Sequence, residues 1–187
     1  MKGIFYGIGI GPGDPEHITL KAVRMMKEVD VIAAPGTDVK ETLAYRIAVQ
    51  AVPEIEQKEM LPIDMPMTMD KELLLKAHKR GAETIEKVLA EGKSVGFITL
   101  GDTTVYSTFS YLEKIVKEHG FETVYISGIT SFCAAAASLG IPLTEWQEPL
   151  HVIPAVHQLD DKLALDGSYV LMKSGRQMPK VKEILKA

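Results

Sequence analysis

Three short stretches carry the side chains and backbone most able to do chemistry: "GIGPGD" (9–14), "GDTTVYSTF" (101–109) and "SGITSF" (127–132). Each is small, polar or glycine-rich, and each follows an apolar run. The second offers Asp102, Thr103, Thr104, Tyr106, Ser107 and Thr108 close together. A carboxylate in such a place can fix an amine, a ribose hydroxyl or a cation, or it can cap a turn. The cluster points to a ligand site more strongly than any single residue. In the first stretch Gly7, Gly9, Gly11 and Gly13 alternate, a density that suits close approach of backbone to a ligand. Asp14, Pro15 and Glu16 read as an N-cap, a first helical position and a first-turn acid.

The glycine run is close to a dinucleotide fingerprint but fails it. G-x-G-x-x-G started at Gly7 meets Pro12 at its third glycine, and started at Gly9 it meets Asp14. Asp14 would also put a carboxylate where a helix N-terminus should meet phosphate oxygens. The second strand ends in alanine and proline rather than in a ribose-binding acid. There is no P-loop motif and no G-x-S-x-G elbow. His17, His78, His119, His151 and His157 show no metal-ligand spacing, so no resident metal is expected. Cys133 lies in an alanine-rich segment, where packing is its expected role. Met60, Met65, Met67 and Met69 suit core filling or the lining of an apolar pocket.

These stretches need a scaffold, and the rest of the chain supplies one. Residues 4–8, 29–35, 94–102 and 122–130 read as buried strands. Helices are expected from Asp14 to about Val29, from Thr42 to Val52, from Asp70 to about Ala90, from Val105 to His119 and over 131–140. Residues 53–70, with Pro53, Pro62 and Pro66, read as irregular. Alternating strands and helices with continuous apolar strands indicate an α/β fold with a mostly parallel sheet. Ligands of such sheets bind at the carboxyl ends of the strands, where the three stretches fall. The pattern changes near Pro142, giving an N-terminal α/β domain over 1–143 and a partial second α/β domain over 144–187. The latter holds two strands around an acidic stretch, then a helix from Gln177, too little to close a core alone.

The bulk properties narrow the partners. The net charge is −4 over 187 residues, with the signs mixed, which offers no footprint for nucleic acid or an anionic membrane. No apolar run reaches the roughly 18–20 residues of a membrane span. The start lacks a signal peptide's basic region and cleavage site. A single cysteine suits a reducing, cytoplasmic setting.

Four segments in order, "GIGPGDPEHITLKA" (9–22), "GDTTVYSTFSYL" (101–112), "SGITSFCAAAASLGIPL" (127–143) and "VLMKSGR" (170–176), resemble the tetrapyrrole (corrin/porphyrin) methylases. The "YSTFSYL" continuation is similar to the branch that methylates C20 of precorrin-2 or cobalt-factor II. The resemblance implies a two-domain fold, a homodimer and S-adenosylmethionine as methyl donor, leaving S-adenosylhomocysteine. It implies cobalamin biosynthesis as the setting. By motif position, Pro12, Gly101, Asp102, Val105, Tyr106, Thr130, Ser131 and Met172 belong to the donor site. Asp14 and Tyr106 are the candidates to take the proton lost from C20. The competing readings are a methylase for another ring position and a non-catalytic tetrapyrrole-binding domain. Thr103 stands where the family usually has proline, which loosens the turn. Family chains run on with further strands, so a truncated second domain is expected.

Overall fold

The structure is a computed structural model that describes residues 2–66, 68, 70–154, 165–175 and 178–184. Met67, Met69, His157 and most of the acidic stretch expected between the last two strands lie outside the described residues, as does Arg176. The chain forms two compact units, Met1–Ser131 and Phe132–Ala187.

The first unit is built on a five-stranded parallel sheet in the order β3-β2-β4-β1-β5. The strands are β1 (Ile4–Gly9), β2 (Val31–Pro35), β3 (Glu59–Ile63), β4 (Val95–Thr99) and β5 (Glu122–Ile126). Register pairs Gly7 with Phe97 on one side and with Tyr125 on the other. Strand side chains alternate between faces, and β2 shows it: Ile32 and Ala34 enter one core cluster, Val31 and Ala33 the other. The first cluster is closed by α1 (Leu20–Glu28) and α2 (Leu43–Ala51), the second by α3 (Lys71–Ala90) and α4 (Phe109–Glu118). Phe109, Leu112 and Val116 all face inward, as expected from their spacing. Each such fully buried side chain contributes about 1.5–3 kcal/mol.

Helix boundaries follow their caps. Asp70 Oδ1 accepts from the N–H groups of Glu72 (2.9 Å) and Leu73 (3.1 Å), opening α3. Asp14 also caps, its Oδ1 accepting from Glu16 N–H at 2.9 Å, but what it starts is only a 3₁₀ turn, Pro15–His17. Extended backbone at Ile18 breaks that turn, and Thr19 caps the true α1 through Ala22 N–H at 3.2 Å.

Two further expectations are corrected. Residues 53–70 contain a 3₁₀ turn, Pro53–Gln57, and the parallel edge strand β3, which pairs with β2. Pro62 is compatible because an edge strand leaves half of its backbone groups unpaired. The fourth helix begins at Phe109, not Val105, because Tyr106 takes φ +49° and holds the preceding residues in a turn. Met60 and Met65 pack against the core as filler, whereas Cys133 is exposed rather than packed.

The second unit begins within α5 (Ser131–Leu139), whose first residue ends the first unit. It contains β6 (Leu150–Pro154) and β7 (Ser168–Met172), paired in parallel, and α6 (Met178–Ile184).

Candidate functional site

β4, β1 and β5 are neighbours in the sheet, so the loops leaving their carboxyl ends are neighbours too. These are the three glycine-bearing stretches. Their backbones are in direct contact. Gly11 and Gly101 form an isolated antiparallel bridge, with Gly101 N–H donating to Gly11 O at 2.8 Å. A β-carbon on Gly9 would lie 2.7 Å from Gly101 O and 2.7 Å from Gly128 N. One on Gly128 would lie 2.2 Å from Gly101 O. Real β-carbons do not approach backbone this closely, so the first and third loops require glycine at 9 and 128.

The alternating glycines therefore have separate duties. Gly7 admits the Phe109 ring, whose Cδ1 lies 2.4 Å from where a β-carbon would stand. Gly9 admits the neighbouring loops. Gly13 alone of the four has nothing within 4 Å of a β-carbon. Close backbone approach is real here, but at Gly7 and Gly9 the approaching group is the protein itself.

Asp102 sits at the centre of the cluster and is 8% exposed. Its Oδ2 accepts from Gly128 N–H at 2.9 Å. Its Oδ1 accepts from Thr104 N–H at 2.7 Å and from the Thr104 hydroxyl. Burial works against the charged form, but the Thr104 hydroxyl, the Thr104 N–H and the Gly128 N–H outweigh it. The carboxyl is held below the usual carboxylate range. Asp102 is thus an ionised group at neutral pH that joins two loops.

The three loops bring together Pro12, Gly101, Asp102, Val105, Tyr106, Thr130 and Ser131. Pro12 and Val105 are half-buried; Tyr106 and Ser131 are exposed. Tyr106 is held at φ +49°, a left-handed conformation costing roughly 1–2 kcal/mol outside glycine. Neighbouring Ser107 is buried and its Oγ accepts from Phe109 N–H at 3.2 Å, which fixes the turn from behind. Thr130 Oγ1 is buried and has no hydrogen-bond partner among the described residues. Such an oxygen is costly unless another molecule supplies the missing bond. Asp14 is exposed at the end of the first loop. Met172 belongs to the second unit, on β7 opposite Pro154.

Two residues of these stretches have roles that the sequence did not show. Gly128 matters as a backbone donor, and its only signal was that a glycine follows an apolar strand. Thr103 is fully buried, its hydroxyl donating to Ile126 O at 3.3 Å. Among the described residues no group of three or more His, Cys, Asp or Glu is placed to hold a metal ion.

The model of the family described as tetrapyrrole (corrin/porphyrin) methylases matches residues 5–187. A Methanocaldococcus jannaschii protein named probable cobalt-precorrin-2 C(20)-methyltransferase is 40% identical over 170 residues, which is 90% of this chain and 71% of that protein. The cobalt-precorrin-2 C(20)-methyltransferase of Salmonella typhimurium is 32% identical over 99% of this chain and 78% of its own length. Uroporphyrin-III C-methyl transferase from Thermus thermophilus, solved with S-adenyl homocysteine, superposes with a TM-score of 0.63 at 23% identity. It covers 98% of this chain and 76% of that one, a likeness of fold.

Proposed function

The chain belongs to the tetrapyrrole (corrin/porphyrin) methylases, and from that premise we propose that it methylates C20 of precorrin-2 or cobalt-factor II in cobalamin biosynthesis. The observation that carries this reading is the 40% identity to the named C20-methyltransferase across 90% of the chain. Tetrapyrrole methylases use S-adenosylmethionine, which supplies a methyl group already activated on a sulfonium sulfur.

The loop cluster suits such a donor. It is positively charged at sulfur and carries no phosphate, so a helix N-terminus built for phosphate is not needed, and the failed dinucleotide pattern ceases to be an anomaly. Thr130 Oγ1, buried and without a partner among the described residues, fits a hydrogen-bonding ligand. Gly101, Asp102, Val105, Tyr106, Thr130 and Ser131 hold the donor, with Pro12 from the first loop. Asp102 acts mainly by setting the loops' shape, because three donors already occupy its oxygens. Preset loops orient the reacting groups, an effect worth up to roughly 7–11 kcal/mol in the best cases. C20 must lose a proton, and Asp14 and Tyr106 are the side chains on these loops proposed to take it. Asp14 Oδ1 is committed to Glu16 N–H, so Oδ2 is the receiving atom on that residue. We further infer a homodimer acting in the cytoplasm; the single cysteine supports a reducing compartment.

The test is incubation with methyl-labelled donor and either precorrin-2 or cobalt-factor II. Label at C20 supports the assignment. Label at another ring carbon moves the chain to a different branch of the family. Tetrapyrrole binding with neither label transfer nor S-adenosylhomocysteine binding reduces it to a carrier.

A further inference from the structure

Thr103 has no ligand role in the reading above, yet it is fully buried in the loop that follows β4. Its hydroxyl donates to the carbonyl of Ile126, the last residue of β5, at 3.3 Å. The adjacent residue, Asp102, accepts from Gly128 N–H at 2.9 Å. Two consecutive side chains of one loop therefore grip the other loop at two points, on either side of Ser127. The need for a grip follows from topology. β5 is an edge strand that pairs, among the described residues, with β1 alone, and just past its end the Thr19 hydroxyl reaches Ser127 O only at 3.5 Å. The segment it releases carries Thr130 and Ser131, both in the proposed donor site.

We propose that Thr103 is a positioning residue: its hydroxyl latches the end of β5 to the β4 loop, so that Thr130 and Ser131 are preset before the methyl donor arrives. This rests on the methylase reading for the identity of the ligand, while the latch itself does not. A preset loop spares binding the cost of ordering it. The effect on donor affinity is limited by what one such hydrogen bond contributes, about three- to tenfold in equilibrium constant. The donor, once bound, meets the same loop geometry. KM for the donor therefore rises while kcat stays close to its original value.

Two variants separate the latch from packing. Thr103→Val keeps the shape and removes the hydroxyl; Thr103→Ser keeps the hydroxyl and removes a buried methyl. The expected result is that Val weakens S-adenosylhomocysteine binding, measured by calorimetry, about three- to tenfold while Ser binds like the original chain. Ser, with its packing lost, is expected to unfold at a lower temperature than the original chain. A role in packing alone would make Ser the weaker binder. Val binding as tightly as the original, or Ser weakened as much as Val, overturns the proposal. Amide hydrogen exchange over 127–131 without any ligand gives an independent reading. Val should speed it and Ser should not, and equal rates in all three chains overturn the latch. If the original chain fails to bind S-adenosylhomocysteine, the methylase reading falls and the donor role of Thr103 falls with it; the exchange rates still decide the latch.

Discussion

Replacing Gly128 by alanine would put a methyl carbon 2.2 Å from Gly101 O, 2.8 Å from Gly9 C and 2.9 Å from Gly9 O. All three are backbone atoms, so no side chain can swing aside. Ordinary contact begins at 3.4 Å, so Gly101 O must recede by at least about 1.2 Å, and only separation of the loops provides it. Overpacking of this kind costs about 1–3 kcal/mol. The same separation stretches the 2.9 Å bond from Gly128 N–H to Asp102 Oδ2 beyond hydrogen-bonding range. A bond to a charged group contributes about 1.5–3 kcal/mol. Together the loss is about 2.5–6 kcal/mol, or a fall in Tm of roughly 5–24 °C for a chain of this size. Thermal unfolding followed by circular dichroism measures it, and calorimetric titration with S-adenosylhomocysteine reads the site in parallel. Gly175→Ala is the control, since nothing among the described residues lies within 4 Å of its β-carbon position. A Gly128→Ala chain that melts within about 2 °C of the original would show that backbone contact between the loops is not what fixes glycine there.

Asp102→Ala removes the acceptor that joins two loops, and S-adenosylhomocysteine binding should weaken at least about tenfold; unchanged affinity by calorimetry would remove this residue from the site. The lowered pKa of Asp102 also sets a pH dependence. Its stabilising contribution is complete above the ordinary carboxylate pKa near roughly 4 and is lost as pH falls through the lower folded value, so unfolding of Asp102→Ala should vary less with pH below about 4. Glu113, a buried carboxylate on α4, accepts from the Thr123 hydroxyl at 2.7 Å and the Tyr125 hydroxyl at 3.2 Å. Its replacement by alanine should cost about 2–4 kcal/mol in urea unfolding. Burial first, then the Glu113 charge and hydrogen bond, raise the Tyr125 pKa, so spectrophotometric titration should find that phenol lower in Glu113→Ala. Asp14→Asn keeps a side-chain oxygen to cap Glu16 N–H but cannot take a proton. Methyl transfer should slow about a hundredfold or more with little change in stability if Asp14 is the acceptor, and an unchanged rate would leave Tyr106.

Much of this architecture is visible in local patterns. Asp70 and Gly92 mark the ends of the third helix because capping is a short-range matter, and Phe109, Leu112 and Val116 show their buried face by spacing alone. The elements misread are those whose reasons lie elsewhere in the chain. β3 carries Pro62, which looks like a breaker until β2 is seen beside only one of its edges. Val105 looks like the start of a helix, but the turn that holds Tyr106 at φ +49° delays the helix to Phe109. Asp14 was legible as a cap, while the extended backbone at Ile18 that ends its helix was not. In the site, the small and polar stretches were visible, and their common edge followed from the α/β alternation. The partners were not: Thr103 meets Ile126 across 23 residues and Asp102 meets Gly128 across 26. Nor does a glycine announce whether a ligand, a Phe109 ring or another glycine will fill its missing side chain.

Pro62 has one more effect. In a parallel strand the N–H and C=O of a residue point the same way, and successive residues alternate. Ile63 O accepts from Gly36 N–H on the β2 side, so Met60 and Pro62 face outward. Proline has no N–H, leaving Met60 as the one outward donor along Glu59–Ile63. A strand arriving from another molecule would find half a ladder, broken after its first rung. That margin of the sheet resists edge-to-edge growth, a safeguard against aggregation written into one imino acid.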